Sequence, residues 1–107
     1  MLYRFKSKAS GDVVMLEPNG KRVLEILGKD PSGPGIVLPE QMPGAVKALH
    51  AAVFEEEADF ERRKQEALAK GEDPPDPDRV SLRMRVAPFI ELLEYSMGEG
   101  VEVVWGG

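Results

Sequence analysis

The alternation of apolar and polar residues at the two ends of the chain predicts two β-strands. Within residues 2–6, the aromatic Tyr3 and Phe5 alternate with the basic Arg4 and Lys6. Residues 101–105 also place apolar side chains at every second position, with Trp105 on the apolar side. A period of two residues is typical of a strand that is buried on one face only. Because an isolated two-stranded ribbon is marginal in water, we expect the terminal strands to pair and residues 13–16 to supply a third strand.

A first helix is predicted after the third candidate strand. It begins at Pro18, which suits a first helical position, and it ends at Gly28, which suits a helix C-terminus. A β-hairpin is the alternative for this segment, because Pro18, Asn19 and Gly20 are also favourable turn residues. Residues 30–35 contain two prolines and two glycines and predict a loop.

A long amphipathic second helix is predicted to begin near Pro39 or Pro43. Its second half is mostly charged, including the acidic run at residues 55–61. The helical spacing of its apolar residues defines one seam, which consists of Met42, Val46, Leu49, Val53, Phe60 and Ala67.

A third helix is predicted after residues 71–79, a proline-rich and acidic segment that we interpret as a flexible linker. Ser81 is a candidate N-cap. Pro88 lies inside the helical pattern, so the helix is predicted either to start near Arg85 or to kink at Pro88. The apolar stripe of this helix consists of Leu82, Val86, Phe89, Ile90, Leu93 and Met97.

Together these elements predict one α+β domain over residues 1–107. Its N- and C-terminal strands pair in a small sheet of two or three strands, which packs against three helices. The hydrophobic content of 42% and the charged content of 31% are ordinary for a globular protein. No apolar run approaches the roughly 20 residues that cross a bilayer, and no secretory signal pattern is present, so we expect a cytoplasmic protein without membrane partners.

The distribution of charge argues against binding to nucleic acid. The net charge is −5. Residues 1–29 hold six basic and three acidic side chains, whereas the rest of the chain holds eight basic and sixteen acidic ones. Nonspecific nucleic-acid binding depends on clustered Lys and Arg, and an acidic body opposes it.

Several short sequences in one order resemble a known family. They are the opening residues 5–8, the pair Gly35-Ile36, the Arg-x-x-Pro of residues 85–88 and the closing pair Val104-Trp105. The chain resembles the small bacterial family called domain of unknown function 1840, along nearly its whole length. The resemblance implies an intact domain of bacterial origin and carries over no catalytic or ligand-binding residues.

The residues that carry most enzyme chemistry are scarce in this sequence. There is no cysteine and only one histidine, His50, so thiolate sites are excluded and a histidine-based metal site has no convincing ligand set. Two glycine-rich patterns are typical of phosphate-binding loops, Gly-x-x-x-x-Gly-Lys-Ser/Thr and Gly-x-Gly-x-x-Gly, and neither occurs in the sequence. We therefore predict no metal and no cofactor, and the sequence favours a non-enzymatic protein.

Two functional hypotheses remain. The first is a non-catalytic interaction or structural protein, which binds a second copy or another protein through Val53, Phe60 and Ala67, because the seam of the second helix outlasts the expected core. The alternative is a small-ligand-binding protein or minor enzyme. Its pocket would lie between the sheet and the third helix near Pro88, at Tyr3, Arg85 and Trp105.

Overall fold

The computed structural model describes residues 2–75 and 82–106, and it has the α+β fold that the sequence predicts. Three helices pack against one antiparallel sheet of four strands. In chain order the strands and α-helices are β1 (Leu2–Ser7), β2 (Ser10–Leu16), α1 (Glu17–Ile26), β3 (Gly35–Val37), α2 (Met42–Ala69), α3 (Leu82–Glu99) and β4 (Val103–Trp105), and a 3-10 turn at Pro39–Gln41 leads into α2.

The two ends of the chain pair as predicted, and the sheet has the strand order β2-β1-β4-β3. Phe5 lies opposite Trp105 in the antiparallel pair of β1 and β4. The third strand is also confirmed, because β2 pairs antiparallel with β1 over nearly its whole length, from Leu2 opposite Leu16 to Ser7 opposite Ser10. The hairpin alternative for the following segment is wrong, since that segment is the helix α1.

A fourth strand, β3, corrects the prediction of two or three strands. It has only three residues, Gly35–Val37, and follows Pro34, so it is too short for a period of two to show. Its stability comes from pairing with β4, in which Gly35 lies opposite Trp105 and Val37 lies opposite Val103. The predicted loop therefore ends one residue earlier than expected, at Pro34.

Each helix is followed closely by a glycine with a positive φ angle, and Gly28 confirms the predicted end of the first helix. Gly28, Gly71 and Gly100 have φ angles of 73°, 71° and 67° and follow the last turns of α1, α2 and α3. After α1, the Lys29 amide donates to the Leu24 carbonyl at 2.8 Å, and after α3 the Val101 amide donates to the Ser96 carbonyl at 2.9 Å. These bonds satisfy helix carbonyls that would otherwise lack a partner.

The start of α3 corrects the interpretation of Pro88. The helix already includes Leu82, so a start near Arg85 is wrong, and Pro88 lies inside the helix. Burial of one helix face in the core, by Phe89 and Leu93 among others, offsets the roughly 3 kcal/mol that an internal proline costs. A kink stays a prediction, and the predicted N-cap at Ser81 and part of the linker lie outside the described residues.

The hydrophobic core lies between the sheet and the helices. Phe5 is fully buried at its centre, where its ring contacts Phe89 of α3 with centroids 4.7 Å apart and Trp105 of β4 with centroids 5.8 Å apart. Helices α1 and α3 contact the sheet, and α2 packs on both of them. All the helices described therefore lie on one side of the sheet, with the aromatic residues of β1 and β4.

Candidate functional site

Helix α2 extends well beyond the core. Its buried residues are Met42, Leu49 and Val53, and no later residue of this helix is buried. We call residues 54–69 the arm. At 1.5 Å per residue the arm is roughly 24 Å long, in a molecule whose longest dimension is 51 Å.

The three predicted partner-binding residues lie at different depths. Val53 is 4% exposed and belongs to the hydrophobic core. Phe60 and Ala67 lie on the arm and are half-buried. The structure therefore places the first residue of the predicted surface inside the domain and the other two beyond the core.

The most exposed apolar side chains of the arm form a neighbouring stripe that the sequence analysis missed. Phe54 is 73% exposed and Leu68 is 54% exposed. Together with Glu61 they are spaced seven residues apart, so the three side chains lie on one face of the helix. We call Phe54, Glu61 and Leu68 the arm stripe. The spacing of seven residues in the sequence could have identified this stripe. The seam through Val53, Phe60 and Ala67 has the same spacing one residue earlier.

Two carboxylates of the acidic run join α2 to the other helices. Glu56 accepts a hydrogen bond from the Leu82 amide at 2.7 Å, at the first described residue of α3, and it forms an ion pair with Arg22 of α1 at 3.3 Å. A carboxylate at a helix N-terminus satisfies a free amide and interacts favourably with the helix dipole. Glu56 is therefore a structural residue.

Glu57 forms the second link between α2 and α3. Its carboxylate accepts hydrogen bonds from two nitrogens of Arg83, one of them from Nε at 3.3 Å. The side-chain hydrogen bond from Arg83 holds the pKa of Glu57 below its ordinary value of 4.5, and the same bond raises the pKa of Arg83. Both side chains are largely exposed, so the pair contributes modestly to stability.

Further along, the charges of the arm pair with each other. Asp59 forms ion pairs with Arg62 and, at 3.0 Å, with Arg63. Glu61 accepts a hydrogen bond from the side-chain Nε2 of Gln65 at 3.1 Å. Pairs at positions i and i+4 stabilise an exposed helix by about 0.3 kcal/mol each. The arm can thus remain helical without a covering element.

The three predicted pocket residues have separate partners. The Tyr3 hydroxyl donates to the Pro31 carbonyl at 2.8 Å, and the Tyr3 ring stacks on Phe5 with centroids 6.4 Å apart. Arg85 is exposed and its guanidinium donates to the Asn19 side chain of α1. Tyr3 and Trp105 thus each lie next to Phe5, whereas Arg85 belongs to the contact between α3 and α1.

Trp105 is the most buried of the three pocket residues. It is 2% exposed, and its indole Nε1 has no hydrogen-bond partner among the described residues. A buried donor of this kind costs roughly 1–3 kcal/mol unless it is satisfied. This atom is therefore an unusual feature of a largely apolar core.

Two surface cavities lie away from these residues, each with a volume of about 260 Å³. The first lies between the end of α1 and the start of α2, next to Lys29, whose ammonium donates to Gln41 at 3.3 Å. The second lies at the edge of the sheet, lined by Lys6, Lys8, Glu102 and Val104 among others.

The single histidine and the acidic residues do not assemble a metal site within the described part of the chain. His50 is exposed on α2. Across residues 2–75 and 82–106 there is no cluster of three or more His, Asp or Glu side chains that could hold a metal ion. In the same residues, no helix is both long enough and apolar enough to span a membrane.

The face of the sheet away from the helices is partly apolar. Successive residues of a strand point to opposite faces, and the even-numbered residues of β1 and β2 are exposed. We call this surface the open sheet face. Its charged residues are Arg4, Lys6 and Asp12, and its exposed apolar residues are Leu2, Val14, Leu16, Ile36 and Val104.

Comparison with known proteins yields one match. A family model described as Domain of unknown function (DUF1840) matches residues 1–105. No curated protein and no solved structure matches the chain.

Proposed function

Because the chain belongs to the DUF1840 family, whose description assigns no activity, we propose its function from its own surface: it is a non-catalytic interaction protein that binds through the arm of α2. The observation that carries the proposal is the continuation of α2 beyond its last buried residue, Val53, with apolar side chains still presented to solvent.

The arm has the chemistry of a protein-binding helix. Its exposed Phe54 and Leu68 offer apolar area, and Phe60 and Ala67 add to it on the adjoining face. Exposed apolar side chains grouped on one element and bordered by charge mark interaction surfaces more often than single exposed residues do. The partner is a second copy of this chain or another protein with an apolar groove.

Light scattering coupled to size exclusion tests the self-association form of this proposal. We expect a concentration-dependent mass above that of the monomer, which Phe60→Glu lowers. The matched control is Ala69→Glu, because residue 69 lies nine positions further along and thus on the opposite side of the helix. A monomer at every concentration, or equal effects of the two variants, would count against it.

Binding to another protein is tested with tagged protein in an extract of the native cell. We expect a defined partner to be retained by the wild type and by Ala69→Glu, and to be lost from Phe60→Glu and Leu68→Glu. Purified partner should then bind the wild type and Ala69→Glu directly, and should bind Phe60→Glu and Leu68→Glu more weakly. If the arm variants retained the same proteins as the wild type, binding through this helix would be contradicted.

Small-ligand binding is the second candidate, and one observation favours it. The unpartnered Nε1 of Trp105 is a buried donor on a side chain that packs against Phe5, where a ligand with an acceptor atom would satisfy it. Trp105 is the only tryptophan, so its fluorescence reports directly on this place. A metabolite screen in which some ligand shifts both the emission and the melting temperature would support this candidate. A screen in which none does so at millimolar concentration would argue against it.

We propose that this interaction takes place in the bacterial cytoplasm. Fractionation of the native cell tests the location. Recovery of the protein with cytoplasmic markers is expected, whereas recovery with periplasmic or membrane markers would contradict it.

A further inference from the structure

The open sheet face and the arm stripe have complementary patterns. On the open sheet face, Leu2 and Leu16 lie opposite each other at one corner, and Ile36 and Val104 lie opposite each other at the other corner. The cations Arg4 and Lys6 lie between these two apolar pairs along β1. Asp12 of the same face pairs with Arg4, so Lys6 carries the unpaired charge between the two apolar pairs. The order across the face is therefore apolar, basic, apolar.

The arm stripe has the order apolar, acidic, apolar. Glu61 lies halfway between Phe54 and Leu68, and it has no cation partner among the described residues. Leu68 lies 14 positions after Phe54, which corresponds to roughly 21 Å of helix. Strand spacings of about 4.8 Å and a rise of about 3.3 Å per residue put Leu16 and Ile36 roughly 20 Å apart across the sheet.

The open sheet face and the arm stripe thus match in the order of their apolar and charged residues and in length. From this match we propose that the arm of a second copy lies across the open sheet face, with Phe54 and Leu68 on the two apolar corners and Glu61 at Lys6. Each copy both gives an arm and receives one, so the assembly is a closed two-fold dimer. This inference rests on the proposed function, because it names the partner and the receiving surface of the same arm.

The charge of the chain favours this occupant over other arrangements of two copies. Residues 1–29 carry six basic and three acidic side chains and the remainder carries eight and sixteen, so contact between two acidic bodies is repulsive. Lys6 has no ion-pair partner among the residues described, whereas Arg4 is paired with Asp12 at 3.2 Å. An acidic arm on this face supplies a carboxylate partner for Lys6. It also covers the apolar side chains of a sheet face that, when exposed to solvent in an antiparallel sheet, is usually polar.

Charge reversal tests the contact. Lys6→Glu and Glu61→Lys each place like charges together twice in the dimer, so each variant alone should dimerise about tenfold more weakly, or worse. An equimolar mixture of the two variants forms heterodimers in which one contact is reversed and the other is wild type. Sedimentation velocity should therefore show recovery of the dimer in the mixture, to within about threefold of the wild-type affinity.

Matched controls isolate the two sites. Glu66→Lys makes the same charge change on another side of the arm, and Lys47→Glu makes it on an exposed part of α2; neither should weaken the dimer or be rescued by mixing. Recovery in the mixture also shows that both single variants are folded.

Three results would overturn the inference. They are a wild-type monomer up to near-millimolar concentration, a dimer weakened by Glu61→Lys but indifferent to Lys6→Glu, and single variants that do not recover on mixing. The second result leaves the arm as a binding element with a different receiving surface. The proposed function itself fails only if the arm variants also leave binding to other proteins unchanged.

Discussion

The hydroxyl oxygens of Ser7 and Ser96 lie 2.6 Å apart, although 89 positions separate the two residues in the chain. Ser96 donates its own proton to the Leu92 carbonyl at 2.6 Å, so Ser7 is the donor of the bond between them. The Ala9 amide in turn donates to Ser7 at 3.2 Å. This chain of hydrogen bonds links β1 and its turn to α3 and satisfies the one buried polar side chain of the described core.

Replacement of Ser96 should show how much this link contributes to the free energy of unfolding. Ser96→Ala removes the acceptor of the Ser7 proton, and we expect the free energy of unfolding to fall by about 1 kcal/mol, since typical hydrogen bonds contribute 0.5–1.5 kcal/mol. Urea denaturation measures the change. Ser10→Ala is the control, because Ser10 is exposed at the start of β2. Equal stability of Ser96→Ala and wild type would show that the link contributes nothing.

The contact of Gly35 with Trp105 predicts a strong effect of a single methyl group. A Cβ at position 35 would lie 2.2 Å from the indole ring, whereas a Cβ at Gly33 would meet nothing within 4 Å. Gly35→Ala should therefore lower stability by roughly 1–3 kcal/mol through overpacking, and Gly33→Ala should change it little. Thermal unfolding, followed by the fluorescence of Trp105, distinguishes the two variants. A Gly35→Ala protein as stable as the control would refute the close approach.

Loss of the Glu56 carboxylate should weaken the junction of the three helices. Glu56→Ala leaves the Leu82 amide and Arg22 without their partner, and we expect a loss of about 1–2 kcal/mol, as for removal of a helix cap. Glu55→Ala is the matched control, because Glu55 is exposed on the same turn. Chemical denaturation is the measurement, and an equal effect of the two substitutions would contradict a structural role for Glu56.

The ion pair of Glu57 and Arg83 predicts a dependence on pH. Because the folded-state pKa of Glu57 lies below its ordinary value of 4.5, the pair stabilises the fold above that pH and stops doing so as the pH falls through the lowered pKa. A carboxyl titration by NMR should find the pKa of Glu57 below 4.5 in the wild type and nearer to it in Arg83→Gln. An unchanged pKa in Arg83→Gln would show that the guanidinium is not its cause.

Local patterns in the sequence predict most of the fold. The alternation around Phe5 and Trp105 predicts the terminal strands, and Gly28 predicts the end of the first helix. The strand β3 could not be predicted, because three residues carry no period and its stability depends on pairing with distant β4. The tolerance of Pro88 inside α3 likewise depends on burial of that helix against the rest of the core.

The surfaces are predicted less completely than the fold. Helical spacing identifies the seam through Val53 and Phe60, but it cannot show where the core ends along a helix. The sequence also does not show that Arg85 bonds to Asn19, because the α1–α3 contact is a matter of tertiary packing. The pairing of residues across the open sheet face requires the strand register, which no local pattern supplies.

Site-specific photo-cross-linking in the native cell tests binding through the arm most directly. A photoreactive benzoylphenylalanine in place of Leu68 should form a discrete adduct, either with a second copy of the chain or with one defined protein. The same residue in place of Glu66, which points to another side of the helix, should form little or none. Absence of any adduct at position 68, or equal adducts at both positions, would contradict a specific interaction through this arm.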